Sequence, residues 1–188
     1  MTPGELAPAG TPYMAELLND ALGAGLYTVP GLLRDVADPA AHVLAVNGDR
    51  GLVGGAVSRL LVPEDASYYA AFGAVVEQAF KAGPIGSFEG LAVAPAARGR
   101  GLGSQLLAES VRWIRERGGR SAVALSWVSR QATSAGLFVR AGFEAGPTIE
   151  DFYYQESRRD GWTCPVCNGP CHCAAQFYWR PIDAPSRA

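Results

Sequence analysis

Residues Gly86 to Arg117 read GSFEGLAVAPAARGRGLGSQLLAESVRWIRER. Behind Pro84, the apolar run Ile85 to Ala94 has the length and composition of a buried strand. It runs into Arg98-Gly99-Arg100-Gly101-Leu102-Gly103, and a helical repeat follows without a gap. Leu102, Leu106, Leu107, Val111 and Ile114 share one helical face. Arg112, Arg115, Glu116 and Arg117 take most of the other, and Gly118-Gly119 ends the helix. Strand, glycine-rich basic loop and helix in succession make an anion cradle. The first amides of a helix lack intrahelical partners and sit at the positive end of the macrodipole. The glycines let a ligand approach the backbone, and Arg98 and Arg100 add charge. A diphosphate suits such a site; a plain helix start behind a solvated basic loop has the same residues.

Two common phosphate motifs do not fit. A phosphate-binding loop needs Gly-Lys-Ser/Thr, which is missing. A dinucleotide fingerprint needs glycine or alanine at position 104, where this chain has serine, and an acidic residue about 20 positions on, where Ser121 to Val128 has none.

Working outward, Thr11-Pro12 opens a helix that runs to about Leu22, and a second short helix is expected over 31–37. Ala41 to Val46 and Leu52 to Val62 flank an Asn47-Gly48 turn, a hairpin signal. Tyr69, Phe72, Val75, Val76, Ala79 and Phe80 predict one helix over 67–81. After the central helix come a strand over 121–128, a short helix over 133–141, a mostly extended stretch over 143–155 and a last aromatic strand over 175–181. Met1 to Gly10 reads as a frayed arm or a short first strand over 5–9. Strands alternating with helices give an α/β chain with a mixed sheet.

With 188 residues, 48% hydrophobic and 18% charged, one globular domain over 1–188 is expected. A net charge of −2 argues against nucleic acid as partner. No apolar run approaches the roughly 18 residues of a membrane span, and no secretory signal is apparent. The expectation is a soluble, cytoplasmic protein without a membrane partner. In such a reducing setting the four cysteines would not form structural disulfides.

The whole of Val93-Ala94-Pro95-Ala96-Ala97-Arg98-Gly99-Arg100-Gly101-Leu102-Gly103 closely resembles the acetyl-CoA motif of the GNAT superfamily of N-acetyltransferases. Glu89-Gly90-Leu91-Ala92-Val93 resembles that family's fourth strand, and Leu137-Phe138-Val139-Arg140-Ala141-Gly142-Phe143 its Leu-Tyr-x-x-x-Gly-Phe segment after the fifth. Three signals in the right order carry the resemblance over nearly all the chain. It implies a central, mostly antiparallel sheet with splayed strands flanked by helices. It also implies acetyl-CoA as cosubstrate and an amine acceptor that attacks the thioester directly; many relatives are homodimers.

By the same resemblance, backbone groups of Leu91, Ala92 and Val93 would bind pantetheine. The amides of Arg98, Gly99, Arg100, Gly101, Leu102, Gly103 and Ser104 would bind the diphosphate, with Gln131 and Phe138 alongside the cofactor. Glu89 is the candidate general base, because the attacking amine must be neutral. A solvated or merely orienting glutamate is the competing reading. The family's usual acid is tyrosine where this chain has Phe138, and its frequent asparagine is Gln131. The thiolate would then leave unassisted, or Tyr153, Ser134 or water would serve. Glu150 and Asp151 are either amine-attracting or ordinary strand-end charges. The alternative function is a non-catalytic acyl-CoA sensor or docking module.

Cys164, Cys167, Cys171 and Cys173 are the chain's only cysteines and fall within ten residues. That density fits a tetrahedral soft-metal site, zinc first. Cys164-x-x-Cys167 has knuckle spacing, whereas Cys171-x-Cys173 can serve one ion only if the backbone bends, since alternate strand residues point apart. His172 could replace one of them. A redox Cys-Pro-x-Cys pair and free thiols are the competing readings. The cluster is expected in a cysteine-rich stretch at about 157–173, between the last two strands.

Overall fold

The computed structural model describes residues 1–49, 51–81, 83–128 and 134–182. Among them, seven strands form one sheet in the order β1-β2-β3-β4-β5-β7-β6. The strands are β1 (Gly4–Glu5), β2 (Ala41–Gly48), β3 (Gly51–Leu61), β4 (Ile85–Val93), β5 (Ser121–Val128), β6 (Glu144–Ile149) and β7 (Ala174–Pro181). Neighbours are antiparallel except β4 and β5, which are parallel. The mixed, mostly antiparallel sheet flanked by helices is the expected architecture.

Side-chain alternation decides which helices cover which face. In β2, Val43 and Ala45 pack with Met14, Leu18 and Leu32 of α1 (Thr11–Leu22) and α2 (Val29–Ala37). Leu44 and Val46 point the other way, onto Leu102 and Leu106 of α5 (Leu102–Glu116). Further along the sheet, Phe88, Ala122, Ala124 and Tyr178 join Leu107 and Ile114 of α5 and Phe138 of α6 (Ala135–Arg140). On the opposite face Ile85, Val123 and Phe177 pack against Tyr69, Phe72, Val76, Trp162 and the cysteines.

Four sequence expectations are corrected. The single helix over 67–81 is broken into α3 (Ala66–Tyr69), a 3-10 turn and α4 (Ala74–Lys81). Gly73, at φ 72°, reverses the chain between them in a conformation that suits glycine. The extended stretch over 143–155 ends at Ile149. A turn with Asp151 at φ 52° then starts α7 (Tyr154–Asp160). The second helix begins at Val29 rather than Gly31, because the Thr28 hydroxyl accepts the Gly31 N–H at 3.1 Å and Pro30 sits in its first turn. The first strand is also shorter and earlier than expected, Gly4–Glu5.

Candidate active site

The site begins where the sheet opens. β4 and β5 pair through Ile85–Phe88 and Ser121–Ala124, and beyond those residues they diverge. β5 stays paired to β7 along its full length, and β4 to β3, so the gap lies between the two parallel strands. The edge of β4 facing that gap therefore carries backbone groups without a strand partner. Glu89 is the first β4 residue past the fork. It is also the extra residue of a β-bulge, because Val57 faces Gly90 while Ser58 faces Phe88.

A cavity of about 500 Å³ reaches into the gap from the α1–α2 side. Its wall joins Leu22 and Tyr27, Asp35, Arg59, Tyr68 and Tyr69, Glu89 to Leu91, Leu125, Trp127, Phe138, Tyr153, Glu156 and Trp162. The Glu89 side chain lines this space and stays open to solvent, the one exposed residue of β4. Burial pushes its carboxyl above the ordinary glutamate range, while a hydrogen bond from Ser87 and the charge of Arg59 pull it part-way back. Arg59 is itself held by Asp35 at 2.5 Å and Asp38 at 2.7 Å. Glu156 accepts from the Tyr68 hydroxyl at 2.8 Å.

Tyr27 is a site residue that sequence reading missed. Its hydroxyl donates to the Glu89 carbonyl at 2.6 Å, and burial raises its own pKa beyond use as an acid. Asn19 fixes Tyr27 by accepting its N–H and donating to its carbonyl, both at 2.8 Å. The only sequence signal was an aromatic residue in a short loop after Gly23 and Gly25.

At the far end of β4 lies the cradle. Gly99 and Gly101 have φ of 75° and 78°, and α5 starts directly after Gly101 with no side-chain cap. The opening amides of Leu102, Gly103 and Ser104 thus keep their hydrogen-bonding capacity, as the first turn of any helix does. Arg98 does not hang free. Its Nε donates to the Val93 carbonyl at 3.0 Å, tying the loop to the end of β4. Gln131 lies outside the described residues.

Phe138 is 5% exposed in α6. Its ring lies 5.4 Å from Phe143, 6.2 Å from Phe88 and 5.3 Å from Tyr178, so it is core as much as cavity wall. Ser134, one turn earlier, lines the cavity and shares a 2.6 Å hydrogen bond with Ser126. Tyr153 also lines it, with its hydroxyl pushed well up by burial. Glu150 and Asp151 are not part of the cavity wall, and Asp151 pairs with His172 Nδ1 at 2.8 Å.

A family comparison adds to this geometry. Residues 11–143 match the model of the acetyltransferase (GNAT) family. The chain belongs to that family. No curated protein sequence matches it significantly. Among solved structures, the GNAT fold recurs in a ribosomal-protein-alanine N-acetyltransferase from Brucella melitensis, at 19% identity and TM-score 0.67, covering 97% of this chain and 100% of that one. NAA60 of Arabidopsis thaliana, solved with a bisubstrate analogue, gives 13% identity and TM-score 0.70 over 97% and 98%. A GNAT-like decarboxylase, GphF, in complex with isobutyryl-CoA, gives 18% identity and TM-score 0.68 over 97% and 100%. At these identities the likeness is one of fold.

The four cysteines lie between β6 and β7, as expected. Their Sγ atoms all fall within 4.8 Å of one another. Cys164 starts a tight turn in which its N–H donates to the Gly169 carbonyl and its carbonyl accepts from Asn168, itself at φ 56°. The Cys167 N–H points at Cys164 Sγ, 3.5 Å, and the His172 N–H at Cys167 Sγ, 3.3 Å. Cys171 and Cys173 both turn inward because 171–173 is not strand; the regular alternation starts only at Ala174. The His172 ring faces away, against Asp151 and Tyr154, so it is not in the group. All four cysteines are free thiols, and burial drives Cys171 up to about 12 and Cys173 higher still. Four converging sulfurs with N–H···S support form a donor set for a soft metal ion.

Proposed function

We propose that this protein transfers an acetyl group from acetyl-CoA to a primary amine by direct attack within a ternary complex. The observation that carries the reading is the fork at Glu89. It sets the unpaired edge of β4 between a phosphate cradle at one end and a carboxylate-bearing cavity at the other. The amides of Arg98 to Ser104 would hold the diphosphate, with Arg100 adding charge, and backbone groups of Leu91 to Val93 would hold pantetheine. Residues 1–188 are treated as one acetyltransferase domain.

The cavity wall carries Asp35, Glu89 and Glu156 against Arg34 and Arg59, an excess of one acid that favours a cation, while Tyr27, Tyr68, Trp127 and Trp162 supply apolar faces. Glu89, raised toward neutrality, takes the proton from the incoming ammonium, directly or through cavity water. The amine lone pair forms the C–N bond, the C–S bond breaks, the thiolate leaves, and the surplus proton on nitrogen passes through water to the thiolate. Phe138 cannot protonate it, and a thiol pKa near 8.5 makes that tolerable; Ser134 and solvent are the donors at hand. Thiol release from acetyl-CoA with ethanolamine, putrescine, tyramine, glucosamine and an alanine-initiated peptide tests the reading. An amine-dependent rate means enzyme. Acetyl-CoA binding without turnover on any amine means the sensor that Phe138 alone would favour. No acetyl-CoA binding by titration calorimetry overturns both.

The cysteine group is read as a structural zinc site, since it offers four protein ligands and leaves no open position for catalysis. Bound zinc would supply the charge that stabilises the four thiolates, three of them buried. Metal analysis of reductant-treated protein checks this.

A further inference from the structure

The loop that carries the cysteines also carries a wall of the acceptor cavity. Trp162, two residues before Cys164, is 3% exposed and stacks on Trp127 at 5.8 Å with 10° between the planes. It lies so close to Gly23 that a Cβ there would come within 3.1 Å of the ring. Next to it, Thr163 exchanges two backbone hydrogen bonds with Ala24, at 2.9 and 3.0 Å. Ala24 belongs to the α1–α2 connection, and three residues later that connection places Tyr27 on the Glu89 carbonyl. On the far side of the loop, the Cys171 N–H donates to Ser157 Oγ at 2.9 Å, fixing it to the helix that bears Glu156.

Between Gly161 and Cys173 the chain forms no helix or strand, only the two isolated bridges at Thr163 and Cys164. The sulfur cluster is therefore what can give that segment a fixed shape, and uncharged thiols make only weak hydrogen bonds. The cradle is built differently. α5 is secured by apolar clusters on the opposite face of the sheet, and neither cluster contains a residue from 157–173.

We propose that a metal ion held by Cys164, Cys167, Cys171 and Cys173 latches the acceptor side of the enzyme. It keeps Trp162 and the Ala24–Tyr27 connection seated against the bulge at Glu89, and it leaves the acyl-CoA side independent. This rests on the zinc reading above and extends it from local stiffening to control of the acceptor cavity. When the ion leaves, the Thr163–Ala24 bridge and Trp162 let go while the cradle stays folded.

The test is residue-resolved hydrogen exchange on the full chain, zinc-loaded and metal-stripped under reductant, with metal content and acetyl-CoA Kd measured on each sample. About one zinc per chain is expected. Stripping should speed exchange at Ala24, Leu26, Tyr27 and residues 162–173 at least tenfold. It should leave the amides of α5 and the acetyl-CoA Kd within about twofold, and added zinc should restore protection. In the zinc-loaded protein, Thr163→Pro removes one bond of the bridge and should speed exchange at Ala24 and Tyr27 with zinc retained. Protein without bound metal overturns the proposal, as does unchanged exchange at Ala24 and Tyr27 after stripping. If stripping unfolds the whole chain, Thr163→Pro decides, and protection left intact in that zinc-bound variant overturns the latch. A failure of the acetyltransferase reading would look different. Acetyl-CoA would bind neither form, and the exchange pattern would be unaffected.

Discussion

Glu89 owes its position to one extra residue in β4. Without the bulge, strict alternation would send Glu89 and Gly90 to opposite faces; with it, both turn toward α1 and Tyr27. The cost is a carboxylate crowded by the cavity wall, although its side chain still reaches solvent. Its folded-state pKa lies above the unfolded value, so the native state binds the proton more tightly. Stability from this group is full below the unfolded pKa and is lost as pH rises through the folded one. Glu89→Gln should therefore have a slightly higher Tm than wild type at pH 7, a small effect because the side chain reaches solvent, and the same Tm at pH 4. The opposite holds for activity. Wild-type kcat/KM should rise with pH on a limb whose apparent pKa exceeds that of an ordinary glutamate, and Glu89→Gln should lose that limb along with about 10²–10⁴ in rate. A pH profile and a thermal melt on the same pair of proteins read both. Phe138 tests the other proton. If the thiolate needs no help, Phe138→Tyr should change kcat by less than about tenfold, small against the 10²–10⁴ of a required general acid.

At the level of elements, the strand–loop–helix unit works because glycines sit where a Cβ or a negative φ would fail. At Gly86 a Cβ would fall 2.3 Å from two carbons of Ile114, so the close approach of α5 to β4 there needs a glycine. Gly86→Ala should cost about 1–3 kcal/mol in urea unfolding, by overpacking. Gly101 has open space around it but φ of 78°. Gly101→Ala should cost about 1–2 kcal/mol through strain, and it should weaken acetyl-CoA binding in calorimetry because the amides of the first turn move. This unit was legible in the sequence since its parts are adjacent and each carries a local signal. Gly73 was overlooked because helical periodicity runs straight through it from Tyr69 to Phe80. α7 was missed because a polar run, Gln155 to Asp160, has no apolar stripe to announce a helix. The bend at Cys171–Cys173 could be stated only as a condition on the backbone. Glu89, Leu91, Ser134, Phe138 and Tyr153 were singled out from the sequence and do line the cavity, but the rest of its wall was not legible. Tyr27, Arg59, Tyr69, Trp127 and Trp162 are far apart in the chain, and only the sheet order brings them together.

The whole molecule is two half-sites on one forked sheet. α5 and α6 pack on one face; α1, α2, α3, α7 and the cysteine loop line the cavity on the other. The cavity meets the fork where Glu89 stands, and Phe138 belongs both to its wall and to the α5-side cluster. Such a division predicts how two ligands should stabilise the fold. Acetyl-CoA at 100 times its Kd should add about 2.7 kcal/mol, or about 5–10 °C in Tm for a chain of this size. If the cradle folds without help from the cysteine loop, the same shift should appear in zinc-loaded and zinc-free protein, on top of a lower starting Tm in the latter. Differential scanning calorimetry of the four states measures this directly. A ligand shift that disappears on metal removal would mean that the fork transmits the loss of the latch to the cradle and that the two half-sites fold as one cooperative unit.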